Sequence, residues 1–217
     1  METTFMKENK LENTQKPIIL LVGKSGSGKN YFTKFAKENM NMDEVISRTT
    51  REPRYEGEDT HLFVSMEQAE KETEKSLAYT YYCGNHYYVL KEDLVDKAFY
   101  VIDSRGVETF KNSYHNIPYL VVYYNVPWWK RAWRMLKRGD SIRKIIERLV
   151  NDHKDFNSVN HLADIIVTDM PQLVSIAETV KNYAYSGDLE ELLTLLKHNL
   201  NIENIIKLLT KYEHECI

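Results

Sequence analysis

The first residues able to do chemistry lie near the start of this 217-residue chain. Gly23, Lys24, Ser25, Gly26, Ser27, Gly28 and Lys29 fit the spacing G-x-x-x-x-G-K. Glycines so placed let successive backbone N–H groups turn toward one anion. A loop of this kind cradles nucleotide phosphates, and Lys29 supplies a compact positive charge for the β- and γ-phosphates. Asn30 stands where such loops usually carry a serine or threonine whose hydroxyl meets magnesium. An amide oxygen is also a hard ligand, and magnesium keeps several waters. Asn30 is therefore expected to alter one metal contact, direct or through water, and to leave the cradle intact.

A second anion site is written in "SRTTREPR", Ser47 to Arg54. Arg51 and Arg54 flank Pro53, which stiffens the loop and disfavours helix at Glu52. Two guanidiniums suit a bidentate grip on a dianionic phosphate. Tyr81, Tyr82, Tyr87 and Tyr88 follow and offer phenolic donors. A third cluster, residues 128–149, holds Arg131, Arg134, Arg138, Arg143 and Arg148. Phosphoryl transfer needs positive charge over the moving group and exclusion of water. A mobile basic flap closing over ATP meets both needs. The same run also reads as a solvated helix face, or as a nucleic-acid patch interleaved with Trp128, Trp129 and Trp133.

These clusters need elements to carry them. "PIILLV", residues 17–22, reads as a strand buried on both faces. Residues 29–39 read as a helix with Tyr31, Phe32, Phe35 and Ala36 on its apolar side. Strand-like runs recur at 61–64, 77–82, 86–90, 98–103, 118–126 and 163–168. Helical patterns fall at 66–75, 91–97, 104–112, 127–138, 141–156 and 171–184. The alternation predicts an α/β fold, a parallel sheet flanked by helices with right-handed crossovers. Residues 61–90 break the alternation and predict a small antiparallel insert, turning at Gly84-Asn85. After Ser186-Gly187 the leucine and isoleucine spacing predicts two short helices in a hairpin, as a packing element or a homodimer contact.

Taken together, the phosphate loop, "S-x-T-T-R-x-P-R", "GNHYY", "VIDSRGV" and "KRGDS…ERL" resemble guanylate kinases in content and order. The resemblance spans roughly residues 17–170. It implies a P-loop nucleoside monophosphate kinase that uses ATP and Mg2+ to phosphorylate GMP or dGMP. By that likeness Arg51, Arg54 and Tyr87 hold the acceptor monophosphate, and Ser47 lies near the acceptor nucleotide. Asp103 contacts the acceptor or the metal's water shell, though it is equally placed to cap the following helix. Arg138 and Arg148 are the lid arginines facing the phosphates, Arg134 serves the ATP side, and Asp155 is their acidic neighbour. His61 falls where the family has a phosphate-binding tyrosine. Ala78 and Val89 fall where the family has a glutamate and a serine that read guanine, with Glu58, Asp59 or Tyr79 as candidate replacements. Phosphate capture is thus better supported than base readout. The competing readings are a kinase for another phosphorylated acceptor and a scaffold domain without catalysis; intact Lys29 and loop glycines favour the enzyme.

The implied organisation is a tail (1–16), a kinase-like domain (17–184) with an insert (47–97) and lid (127–150), and a helical appendage (185–217). The bulk properties agree with a globular enzyme. A net charge of -3 argues against a general nucleic-acid binder. Cys83 and Cys216 make neither a disulfide framework nor a zinc site. No apolar run reaches membrane-spanning length, and residues 1–16 lack the apolar stretch of a signal peptide, so a cytoplasmic setting is expected.

Overall fold

The computed structural model describes residues 16–201 apart from 54, 83, 114–115, 157–158 and 184–186. The central sheet has four parallel strands in the order β6-β1-β7-β8. These are β1 (Ile18–Val22), β6 (Phe99–Val101), β7 (Tyr119–Tyr124) and β8 (Ile165–Val167). All five residues of β1 are buried, as an unbroken β-branched and leucine run requires when helices cover both faces.

The two faces carry separate cores. Ile19, Leu21, Phe99, Leu120 and Val122 pack under α1 (Lys29–Met40) and α7 (Met170–Asn182). Ile18, Leu20, Tyr100, Val121 and Tyr123 pack under α3 (Ser104–Asn112) and the single turn α6 (Val159–Leu162). Alternation along β1 sends odd and even residues to opposite layers. Tyr31 departs from its expected apolar side and is exposed; Phe32, Thr33, Ala36 and Met40 make the buried stripe of α1.

The insert forms a second sheet in the order β3-β2-β5-β4. Its hairpin pairs β4 (Ala78–Tyr82) with β5 (Asn85–Val89) antiparallel. The closing pair is Tyr82 with Asn85, so Asn85 belongs to β5 rather than to the expected Gly84-Asn85 turn. Gly84 takes φ 78°, the conformation such a turn asks of glycine. Two-residue strands complete the sheet: β2 (Arg48–Thr49) runs antiparallel to β5, and β3 (Leu62–Phe63) parallel to β2. Arg48 pins the outer face, donating to Asp93 through Nε and Nη2 at 2.9 Å each and to Glu72 at 3.1 Å. Glu72, at the end of α2 (Met66–Glu72), also accepts from Tyr88 Oη at 2.7 Å.

The basic run folds as a helical hairpin, α4 (Trp128–Lys137) and α5 (Ile142–Asp155). Ser141 caps α5 by accepting from the Lys144 N–H. Beyond residue 187 a helical stretch covers 189–201. Its Leu192, Leu193, Leu196 and Leu200 are buried in the same core as α1 and α7. This first arm of the expected C-terminal hairpin is therefore packed on its own chain. The second arm, and the tail 1–15, lie outside the described residues.

Candidate active site

The phosphate loop joins β1 to α1 at the C-terminal edge of the sheet, where ligands collect in such folds. Gly26 and Gly28 take φ 74° and 99°. A Cβ on Gly26 would sit 2.8 Å from the Arg131 carbonyl oxygen, so the loop needs glycine there for space as well as torsion. Gly28 occupies the N-cap of α1 in a left-handed conformation with no side-chain cap. The first N–H groups of α1 thus face the loop's concavity, the setting for an anion. Lys29 Nζ folds back to donate to the carbonyl of Gly23, with the Lys24 carbonyl at 3.4 Å. Burial pushes its ammonium down to about 8; Asp152 opposes that shift and Arg131 adds to it.

A cleft of ≈ 350 Å³ runs from this loop to the insert. Gly23, Ser25 and Lys29 line one wall, Thr80, Tyr82 and Asp103 the other, and Arg148 the side. Asp103 accepts from the Gly106 N–H at 2.7 Å as the N-cap of α3, the capping role expected of it, and it also takes Thr80 Oγ1 at 3.3 Å while lining the cleft. A second hollow of ≈ 650 Å³ lies behind the loop, lined by Gly26, Ser27, Gly28, Asn30, Arg134 and Arg138. Tyr31, Tyr124 and Met170 complete it, and none of these three was marked by the motif. Asn30 is exposed there, at the first turn of α1.

On the insert, the predicted acceptor residues gather. Ser47 Oγ lies 2.9 Å from His61 Nδ1, and the His61 ring is 5.8 Å from that of Tyr87. Tyr87 sits between Thr49 and Thr80 across the sheet. Arg51 donates to both oxygens of Glu58, at 2.8 and 3.3 Å, and lies 5.3 Å over the Phe63 ring. Hydrogen bonding to Glu58 raises the Arg51 pKa, and Tyr87 contributes. Arg51 Nε is buried with no hydrogen-bond partner among the described residues. Buried donors are nearly always satisfied, which makes Arg51 a candidate contact for an anion. Arg54 lies outside the described residues.

Base-reading positions are different. Ala78 and Val89 are direct cross-strand partners, 1% and 0% exposed, and belong to the core. Of the candidate replacements, Glu58 is engaged by Arg51 and Thr60, and Tyr79 Oη is 3.0 Å from His86 Nδ1.

Arg138 grips Asp140 through Nε at 2.9 Å and Nη2 at 2.5 Å, while Arg148 approaches the same carboxylate at 3.9 Å. Arg138 holds the Asp140 carboxyl below its usual range, with help from Arg148 and Lys144. The two arginines therefore meet at one carboxylate but line different hollows: Arg148 the cleft, Arg138 the rear pocket. Arg134 donates to the Ser27 carbonyl.

The expected acidic neighbour needs correcting. Asp155 lines the rim, paired with exposed Arg105 at 3.4 Å. The carboxylate that grips the phosphate loop is Asp152, one turn earlier. It accepts from Ser25 N and Ser25 Oγ, both at 3.0 Å, and from Arg131 Nη1 at 2.6 Å. A sequence signal for it exists: Asp152 follows Ile145 by seven residues, and these two are the buried residues of α5. A carboxylate on an apolar stripe demands a buried partner.

A glycine-lysine phosphate loop on a parallel sheet, with a second small sheet and a basic helical hairpin beside it, makes a P-loop NTPase-type fold. Comparison with known proteins narrows this. The chain is 29% identical over 180 residues to the guanylate kinases of three Helicobacter pylori strains, covering 75% of this chain and 87% of theirs. The crystal structure of guanylate kinase from Anaplasma phagocytophilum superposes with a TM-score of 0.52 at 18% identity, over 82% of this chain and 94% of that one. A scan against protein-family models finds no match. Guanylate kinases are thus what this chain resembles in sequence and in fold.

Proposed function

We propose that this protein transfers the γ-phosphoryl group of ATP to GMP or dGMP, giving ADP and the corresponding diphosphate. The observation that carries the reading is the single cleft bounded by Lys29 on one wall and by Thr80 and Asp103 on the other. Two phosphate-bearing ligands entering from opposite walls would meet there. An acceptor phosphate oxygen attacks the γ-phosphorus as the bond to the β–γ bridging oxygen breaks, and ADP carries away the electron pair. A dianionic acceptor needs no general base.

The chain's own groups do the rest. The loop amides and Lys29 hold the β- and γ-phosphates. Arg51 and Tyr87, with neighbouring Ser47 and His61, hold the acceptor monophosphate from beyond the residues that line the cleft; Arg54 belongs to the same assignment by sequence. Arg148 approaches the transferring group from the lid, where charge on its oxygens is greatest in the transition state. Arg134 and Arg138 serve the ATP side. Closing the lid excludes water that would otherwise take the phosphoryl group. No group of three His, Cys, Asp or Glu side chains among the described residues is placed to hold a metal ion. The donor set nonetheless fits magnesium, which binds through one or two protein oxygens, substrate phosphates and water. Asn30 and Asp103 offer such oxygens, and bound Mg2+ would neutralise charge across the β- and γ-phosphates. No helix among the described residues is long and apolar enough to cross a membrane. A cytoplasmic setting suits the substrates.

The experiment is ADP release from Mg-ATP against a panel of nucleoside and deoxynucleoside monophosphates. GMP and dGMP are expected to support turnover. With Ala78 and Val89 in the core, the preference for GMP over IMP is expected to fall short of the about 1–3 kcal/mol that one matched polar contact supplies. No ADP above background with any acceptor would overturn the reading.

A further inference from the structure

One residue of the phosphate loop has all its polar groups tied to the lid. Ser25 N–H and Oγ–H donate to Asp152 of α5, and Ser25 O accepts from Arg131 Nη1 of α4 at 3.2 Å. Arg131 also donates through Nε to the Val126 carbonyl at 3.1 Å and to Asp152 at 2.6 Å. Arg131 and Asp152 are 4% and 7% exposed, so this is a buried ion pair and not a surface contact. Arg131 belongs to the basic run 128–149 but was given no role in it, Asp152 lies outside every motif, and the reaction sketched above uses neither.

We infer that Arg131 and Asp152 are positioning residues, which fasten both lid helices to the phosphate loop at Ser25 and so fix where the lid arginines stand. Arg134 lies three residues beyond Arg131 on α4, and Arg148 four residues before Asp152 on α5. Each guanidinium is therefore about one helical turn from the fastening point. The base of the lid moves with the loop; closure is left to the distal part around Asp140. The bidentate grip on Ser25 also holds the loop open in its phosphate-ready shape, since Gly26 next to it contributes no side chain of its own.

A buried pair complicates its own test, because removing one partner strands the other charge. The informative variant is the double replacement Arg131→Leu/Asp152→Ala, set beside each single change. This test rests on the kinase reading for its turnover arm only. Thermal melting, ATP affinity by calorimetry and amide exchange of residues 24–28 need no acceptor. The single variants are expected to melt lower than the parent. The double variant is expected to recover most of the melting temperature, yet to show faster exchange at 24–28, weaker ATP binding and a kcat lowered at least about tenfold. Such a split separates positioning from packing. A double variant with parental exchange and ATP affinity would overturn the inference, whether or not turnover is seen. If the parent itself releases no ADP with any monophosphate, the kinase reading fails while the exchange and affinity arms still decide this one.

Discussion

Lys29 carries the clearest single-residue consequence. Its ammonium is pushed down to about 8 by burial, from an ordinary value of 10.5. The unfolded chain binds that proton more tightly. Lys29 therefore costs stability at neutral pH, and the cost shrinks as pH rises from about 8 toward 10.5. Phosphate binding works the other way, because it needs the charged form. ATP affinity should hold near neutrality and then fall, approaching about tenfold per pH unit above the Lys29 pKa. Calorimetry from about pH 7 to about 9.5 checks this. Lys29→Met should bind ATP weakly with no such step; a parental affinity that stays flat across the range would refute the charge role. Residues of this kind were legible in the sequence because type and spacing are local. Lys29, Arg51, Ser47 and Tyr87 announce themselves within a few positions of a glycine or proline. Asp152 did not, since its partners Arg131 and Ser25 stand 21 and 127 residues away.

Among the elements, the phosphate loop is the one whose geometry is least forgiving. Gly26→Ala places a methyl group 2.8 Å from a backbone oxygen and asks alanine for φ 74°. That oxygen does not give way easily, because Arg131 is held by its bonds to Ser25, Val126 and Asp152. The torsion alone costs on the order of 1–3 kcal/mol. The expected outcome is a lower melting temperature together with loss of ATP binding; normal ATP affinity in a stably folded Gly26→Ala would show that the loop is not held as described. The core elements could be read ahead of the structure: β1, α1, β7 and the lid helices follow long apolar periods. Strand β3 falls inside the run read at 61–64, whereas the two-residue strand β2 and the single turn α6 are too short to carry a period. The break at Ser186-Gly187 looked like the edge of an appendage, but periodicity cannot say against what an apolar stripe packs. Leu192 and Leu196 turn out to share a core with Phe32 and Leu173.

At the scale of the whole molecule, the account rests on geometry between two halves. The sheet brings the loop after β1 and the end of β6 to one edge, and the insert closes over them from the far side. One ligand spanning both walls tests this most directly: adenosine and guanosine joined through five phosphates, titrated by calorimetry. It should bind at one per chain and at least about a hundredfold more tightly than ATP alone, since the second contact becomes intramolecular. Arg51→Lys, which keeps a cation beside Glu58 but loses the planar fork, should weaken this ligand and leave ATP affinity within about twofold. An affinity no better than that of ATP, or one indifferent to Arg51→Lys, would contradict the two-walled site.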